Sequence, residues 1–280
     1  HGNQNMSDLH LLIAVAINVL LTIAQVIGGA LSGSLSLVAD ALHNLSDAGS
    51  LALALFARRI ARRPADAEKT FGYGRAEIIG ALINLTTLIL IGLYLIYEAV
   101  MRYFEPQEIA GWTVVVVAGV ALVIDIGTAI LTYSLSKKSL NIRAAFLHNV
   151  SDALASIGVI IAGTLIILYD LYIVDTIITI VIAGYVLYQG FSSLPRVISI
   201  LMQGMPPDID RVDVVTAMKG VKGVKNVHHV HIWELDEHTR SLEAHIIISR
   251  AGTEQIEQMK TAIKERLRVD FEISHSTLEF

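Results

Sequence analysis

Two seven-residue words in this chain carry most of its chemistry. Leu42-His43-Asn44-Leu45-Ser46-Asp47-Ala48 and Leu147-His148-Asn149-Val150-Ser151-Asp152-Ala153 differ only where Leu45 meets Val150. Each sets a histidine four residues before an aspartate, which on a helix puts both side chains on one face, about 6 Å apart along the axis. Both words lie inside long apolar runs. There an ionisable side chain costs about 2.5–3.5 kcal/mol on insertion scales and by default marks an ion or proton path. Interhelical hydrogen bonding explains a single His–Asp pair about as well as metal binding does. Two matched pairs favour the metal.

If the two helices cross antiparallel, each histidine lies near the level of the other helix's aspartate. Two imidazole nitrogens and two carboxylate oxygens then converge on one point. Four N/O donors in a tetrahedron suit Zn²⁺, with Cd²⁺ or Co²⁺ as further candidates. Mg²⁺ and Ca²⁺ want oxygen-rich shells of six or more ligands. Cu(I) wants sulfur, and no methionine is spaced to supply it. Asp40 sits one turn before His43 on the same face, as an exit-side relay or an interhelical hydrogen bonder, the second being favoured. Asp125, Asn18, Gln25 and Asn84 read as interhelical hydrogen bonders or cavity lining.

These residues need helices that cross a bilayer, and the composition supplies them. Of 280 residues 54% are apolar and only 17% charged, against about a quarter charged in soluble domains. There is no cysteine, which excludes a disulfide scaffold and thiolate metal sites. A net charge of −5 gives no reason to expect nucleic acid. A span needs about 20 mostly apolar residues, and six runs qualify: Leu9–Leu31, Leu35–Phe56, Ile78–Val100, Trp112–Leu135, Ala145–Leu168 and Ile173–Leu194. None has the flanks of a signal peptide, and His1, ahead of Met6, carries no functional weight.

Basic residues set the orientation. Arg58, Arg59, Arg62, Arg63, Lys69 and Arg75 follow the second run, Lys137, Lys138 and Arg143 follow the fourth, and Arg196 follows the sixth. The other side offers Arg102 beside Glu105 and Glu108. Both termini are therefore expected in the cytoplasm. The words at His43 and His148 lie three spans apart, so their helices run in opposite directions, a common transporter plan.

Composition changes at Gln203–Asp210, where Pro206 and Pro207 interrupt the chain. Residues 204–280 carry ten of the 21 basic and 13 of the 26 acidic residues. They read as helix Asp208–Lys219, strand Val224–Leu235, strand Arg240–Ser249, helix Thr253–Leu267 and strand Phe271–Phe280, with a hairpin turn at Asp236–Thr239. The expected fold is an α-helical membrane protein of six transmembrane helices (residues 1–203) with a small α+β domain of order αββαβ (residues 204–280).

With these words and this layout the chain resembles the cation diffusion facilitators, specifically the zinc-transporting bacterial type. The resemblance covers the whole chain and implies that His43, Asp47, His148 and Asp152 form the transport site. It also implies a homodimer in the bacterial inner membrane that exports Zn²⁺ in exchange for protons, with a metallochaperone-like cytoplasmic domain. The domain holds His228, His229, His231, His238, His245 and His275, most of which read as ordinary surface residues. The stretches around His228, His245 and His275 look like the family's regulatory zinc motifs, which implies those three as ligands and His231 as structural. Period-2 alternation gives His245 and His275 the same parity and His228 the other, so His228 is expected at the mouth of its strand. The family's further acidic ligand is expected just past the last strand, beyond Phe280. Its shallow loop site is expected to be absent, since Lys69 and Tyr73 stand where that site needs histidines.

Zinc binds deprotonated ligands, so loading releases protons and acid releases metal. One site visited alternately by Zn²⁺ and protons makes an antiporter, with His43 and His148 the expected proton carriers. Zn²⁺ is then the substrate and a regulatory ligand, with no organic cofactor. A metal-gated channel or a membrane metal sensor is the alternative. An enzyme is disfavoured: neither histidine is followed by the glutamate of His-Glu-x-x-His, and four protein ligands leave no open position for water.

Overall fold

A computed structural model describes residues 19–136, 140–236, 239–250 and 252–280; the side chains of residues 131–136, 140–145 and 148 lie outside the description. Six helices precede the C-terminal domain. They are α1 (Val19–Ser32), α2 (Leu35–Ala61), α3 (Arg75–Phe104), α4 (Gly111–Ser136), α5 (Leu140–Tyr169) and α6 (Ile173–Leu201). Each contains or overlaps one of the six apolar runs. Leu9–Asn18 of the first run, with Lys137, Lys138 and His238, falls outside the described residues. The helices outlast the apolar runs because helical hydrogen bonding continues into polar flanks: α2 carries on past Phe56 through Arg58 and Arg59. Among the described residues α3, α4, α5 and α6 are long and apolar enough to cross a membrane. α2 is long enough too, but the chemistry it carries lowers its mean hydropathy.

These helices display apolar side chains outward. Val116, Val120 and Val123 on α4, and Leu154, Ile157 and Ile161 on α5, are exposed. In water such stripes would be unfavourable. In a bilayer they face a solvent as apolar as themselves, and helices satisfy their backbone groups internally.

The chain packs as two compact units. The first holds the described residues up to Ala52 with Asn84–Ser192. Its apolar core gathers Leu35, Leu37 and Ala39 of α2, Leu95 and Ala99 of α3, Val114 and Ala118 of α4, Val159 and Ile166 of α5, and Ile182 and Ala183 of α6. All lie toward the end of the bundle where α2 begins. Gly33, at φ 73°, closes α1 in the left-handed conformation that glycine adopts freely. Ser34 then caps α2, its Oγ accepting from the Leu37 N–H at 3.2 Å.

The second unit holds Leu53–Ile83 with Ser193–Phe280. Its sheet is ordered β1 (Val224–Glu234), β2 (Arg240–Ile248), β3 (Ile273–Glu279), with helices α7 (Arg211–Lys219) and α8 (Thr253–Phe271). β1 and β2 pair antiparallel across the hairpin, and β2 and β3 pair parallel through α8. Val214 and Met218 of α7 and Ile263 and Leu267 of α8 pack on Val227, Val230, Ile232, Leu242, Ala244 and Ile246. The αββαβ order stands. α7 starts at Arg211 rather than Asp208 because Asp210 is its cap, accepting from the Val212 N–H at 2.7 Å. α8 runs four residues past Leu267 and ends at Glu272 in the left-handed region, φ 56°.

Candidate metal centre

The polar residues of α2 and α5 face one another in the first unit. His43 Nε2 lies 3.6 Å from Asp47 Oδ2, one turn along its own helix, and 3.6 Å from Asp152 Oδ1 of α5. One donor atom from each of the three falls within 4.8 Å of the others. His148 lies one turn before Asp152 on α5; its side chain is outside the described set. His43 is 4% and Asp152 7% exposed, whereas the Asp47 side chain is 36% exposed. Burying two or three such groups together is unfavourable unless a cation or protons offset their charge, and an imidazole with two carboxylates is a donor set that fits a borderline divalent metal.

A cavity of about 380 Å³ reaches this cluster. Asn44, Asp47 and Leu51 line it from α2, Thr22 from α1, Asp125 and Thr128 from α4, and Asn149 and Asp152 from α5. Ala48 and Ala52, beyond Asp47 along α2 with Leu51, also line it.

Neighbouring polar groups hold the helices in place. Gln25 of α1 donates from Nε2 to Asp40 Oδ2 at 2.6 Å and accepts from Asn44 Nδ2 at 3.0 Å. Asp40, fully buried, is thus tied to α1. Ser156 donates to Asp125 Oδ2 at 3.2 Å, joining α5 to α4, and Ser50 donates to Asn84 Oδ1 at 2.6 Å, joining α2 to α3. The ring of Tyr185 on α6 meets His43 edge-on at 6.1 Å.

Asp175 escaped the sequence reading. This fully buried carboxylate of α6 sits on the N-terminus of α2. It accepts from the Leu35 N–H at 2.8 Å and from the hydroxyls of Ser34 and Ser36 at 2.6 Å each, with the Ser36 N–H at 3.3 Å. A negative charge there complements the helix dipole and meets otherwise orphaned donors. The available signal was an acid at the start of a span together with serines at the start of another.

In the C-terminal domain the β1 register slips between His228 and His231. The slip is a bulge at His229, whose φ of 52° is left-handed. It corrects the expectation for His228, which does not lie at the strand mouth but pairs directly with His245, their rings 5.3 Å apart. His275 pairs with Ser241, four register positions from His245, or about 13 Å along the sheet. Within one chain the structure brings His228 and His245 together and leaves His275 beside the Phe71 ring at 5.9 Å. An acid inside the last strand meets one of them: Glu279 Oε2 is 3.3 Å from His245 Nε2.

In the loop between α2 and α3, Asp66 accepts from the backbone N–H groups of Glu68 and Lys69 and from the Tyr73 hydroxyl. The Tyr73 hydrogen bond, then the Lys69 one, lower its pKa below the ordinary value.

Comparison with known proteins agrees with this layout. Residues 11–202 match the cation efflux transmembrane domain, and residues 206–279 match the cytoplasmic domain of cation efflux proteins. The metal cation efflux system protein CzcD of Cupriavidus metallidurans is 36% identical over 100% of this chain and 88% of its own length. A cadmium, cobalt and zinc/H(+)-K(+) antiporter of Bacillus velezensis is 37% identical over 92% of this chain and 83% of its own. The zinc transporter ZitB of Pectobacterium atrosepticum is 39% identical over 71% of this chain and 62% of its own. With both family models matched in order along nearly its whole length, the chain belongs to the cation efflux family, a multi-pass membrane protein for the efflux of metal cations.

Proposed function

We propose that this chain exports Zn²⁺, with Cd²⁺ or Co²⁺ as further substrates, from the cytoplasm in exchange for protons, through a site of His43, Asp47, His148 and Asp152. The observation that carries the reading is the position of His43 Nε2, 3.6 Å from carboxylates of two different helices. The names of the relatives described above, which include zinc, cadmium and cobalt and in one case H(+)-K(+) antiport, support it.

The half-exposed Asp47 meets the incoming ion from the cavity, and the buried His43 and Asp152 complete its shell with His148. Zinc accepts only deprotonated ligands, so loading expels protons and protonation on the far side expels zinc. The ion enters in this reading past Leu51 and Ala52, which line the cavity beyond Asp47 on the side that the basic loops assign to the cytoplasm. In this reading both termini are cytoplasmic, and the chain divides in function at residues 1–203 and 204–280. The second part pairs two copies into a homodimer and binds regulatory Zn²⁺ through His228, His245 and His275. Because His275 stands apart from the other two within one chain, their common ion requires movement or the second copy.

The test uses purified protein in sealed vesicles, with zinc-driven proton movement followed by a pH dye. Saturable counterflow that disappears in the Asp47→Ala, Asp152→Ala double variant is the expected result. Zinc movement without a proton signal identifies a channel or uniporter and overturns the coupling. Absence of zinc movement in the unaltered protein returns the question to a sensor.

A further inference from the structure

The bulge in β1 does more than shift the register. Without it, a strand would send successive residues to opposite faces. With it, His228, His229 and His231 all leave the core face, while Val227, Val230 and Ile232 stay on it. His231 pairs across the strands with Glu243, and His229 reaches both neighbours: its ring is 4.7 Å from that of His231 and stacks on that of His245 at 4.6 Å. One donor atom each from His229, His231 and Glu243 falls within 4.8 Å of the others, and all three side chains are exposed.

We propose that His229, His231 and Glu243 form a second divalent-metal site on the open face of the C-terminal sheet, separate from the His228, His245 and His275 set. Two imidazoles and a carboxylate are a donor set for Zn²⁺ or Co²⁺, at about 2.0–2.2 Å from each donor. The 4.8 Å spread closes to that shell by rotation of solvent-facing side chains, with no change in the core. Three protein donors leave a position for water, so the site exchanges its metal readily. The left-handed backbone at His229 is the second mark of the site. A histidine held at φ 52° is strained, and such strain gathers where a side chain must be aimed.

The experiment uses the full-length, tag-free chain in lipid nanodiscs. Asp47→Ala and Asp152→Ala are present throughout, so the transport site does not contribute and the result stands whether or not the proposed transport reading holds. Co²⁺ is the probe, with bound metal per chain counted by equilibrium dialysis and its coordination read from the visible ligand-field bands. Glu243→Gln and His231→Ala are each expected to remove one Co²⁺ per chain together with its spectrum, while His228→Ala leaves that spectrum in place. His229→Asn tests the strained position without disturbing the bulge, since asparagine tolerates the left-handed region; it is expected to give the same loss. Circular dichroism and gel filtration check that each variant keeps its fold. The proposal is overturned if Co²⁺ stoichiometry and spectrum are unchanged in His231→Ala and Glu243→Gln, if His228→Ala alone removes the signal, or if the background protein binds no Co²⁺.

Discussion

The two donor clusters of this protein use the same chemistry in opposite surroundings. Around His43 the imidazole and the Asp152 carboxylate are almost fully buried. On the sheet, His229, His231 and Glu243 stand in solvent. Buried donors are pre-aimed by helix packing and have lost their water, which favours a cation or protons between them; in the proposed reading the exchange of one for the other is what couples transport. Exposed donors keep their hydration, so they bind more loosely and release metal without moving a helix. The difference teaches that residue type sets which metal is suitable, while burial sets whether binding can be coupled to transport.

The largest effect is expected at the buried cluster. His43→Ala lowers zinc-driven flux in vesicles by at least ~100-fold, more than removal of an outer-shell partner usually costs. Glu243→Gln in the same assay lowers flux by far less, and equal losses in the two variants would break the comparison.

Stability tests sharpen it. Asp175→Ala strips four donors at the buried start of α2 of their acceptor. The expected loss is about 3–5 kcal/mol, read from the thermal midpoint of the detergent-solubilised protein. Asp175→Asn should recover part of it.

In the second unit Arg196 of α6 grips Glu234 bidentately at 2.5 and 2.6 Å. The glutamate is 2% exposed, but the Arg196 side chain is 42% exposed. Arg196→Ala strands a buried carboxylate and is expected to cost about 3 kcal/mol; Glu234→Ala frees an arginine that water can reach and should cost less. Urea unfolding measures both, and the reverse order would show that exposure does not govern the pair.

The smallest effect belongs to the pair of partly buried Arg240 and exposed Asp208, 2.7 Å apart. The guanidinium holds the Asp208 carboxyl below its ordinary value of 3.8. A depressed carboxylate stabilises the fold above its unfolded pKa, and that contribution fades as pH falls through the lower folded value. Asp208→Asn, which leaves Arg240 on the Phe271 carbonyl, should therefore lower the unfolding midpoint slightly at neutral pH. The difference from the unaltered chain should shrink once pH drops below about 3.8. A pH-independent difference would remove the charge pairing as its cause.

How much of this was legible in advance follows from the range of the forces involved. The helices were readable because roughly 20 apolar residues in a row have few other uses. The β1–β2 hairpin and α8 were readable because alternation and helical periodicity are local. The matched words at His43 and His148 were readable for the same reason, since four-residue spacing fixes a helix face. The bulge at His229 was not: alternation assumes an unbroken pleat, and one inserted residue reverses every parity beyond it. Nor was Asp175 legible as the cap of α2, since it lies 140 residues from Leu35 in sequence.

The chain's own order of residues thus determined its division into apolar helices and a small mixed domain, the donor types available, and the face each donor shares with its near neighbours. Tertiary structure alone decided which donors meet. It set His43 against Asp152, tied Asp40 to Gln25, placed a cavity against the cluster, paired His228 with His245 and left His275 beside Phe71. Periodicity is a property of consecutive residues, whereas a meeting between distant ones depends on how whole elements pack and on where a strand slips by one.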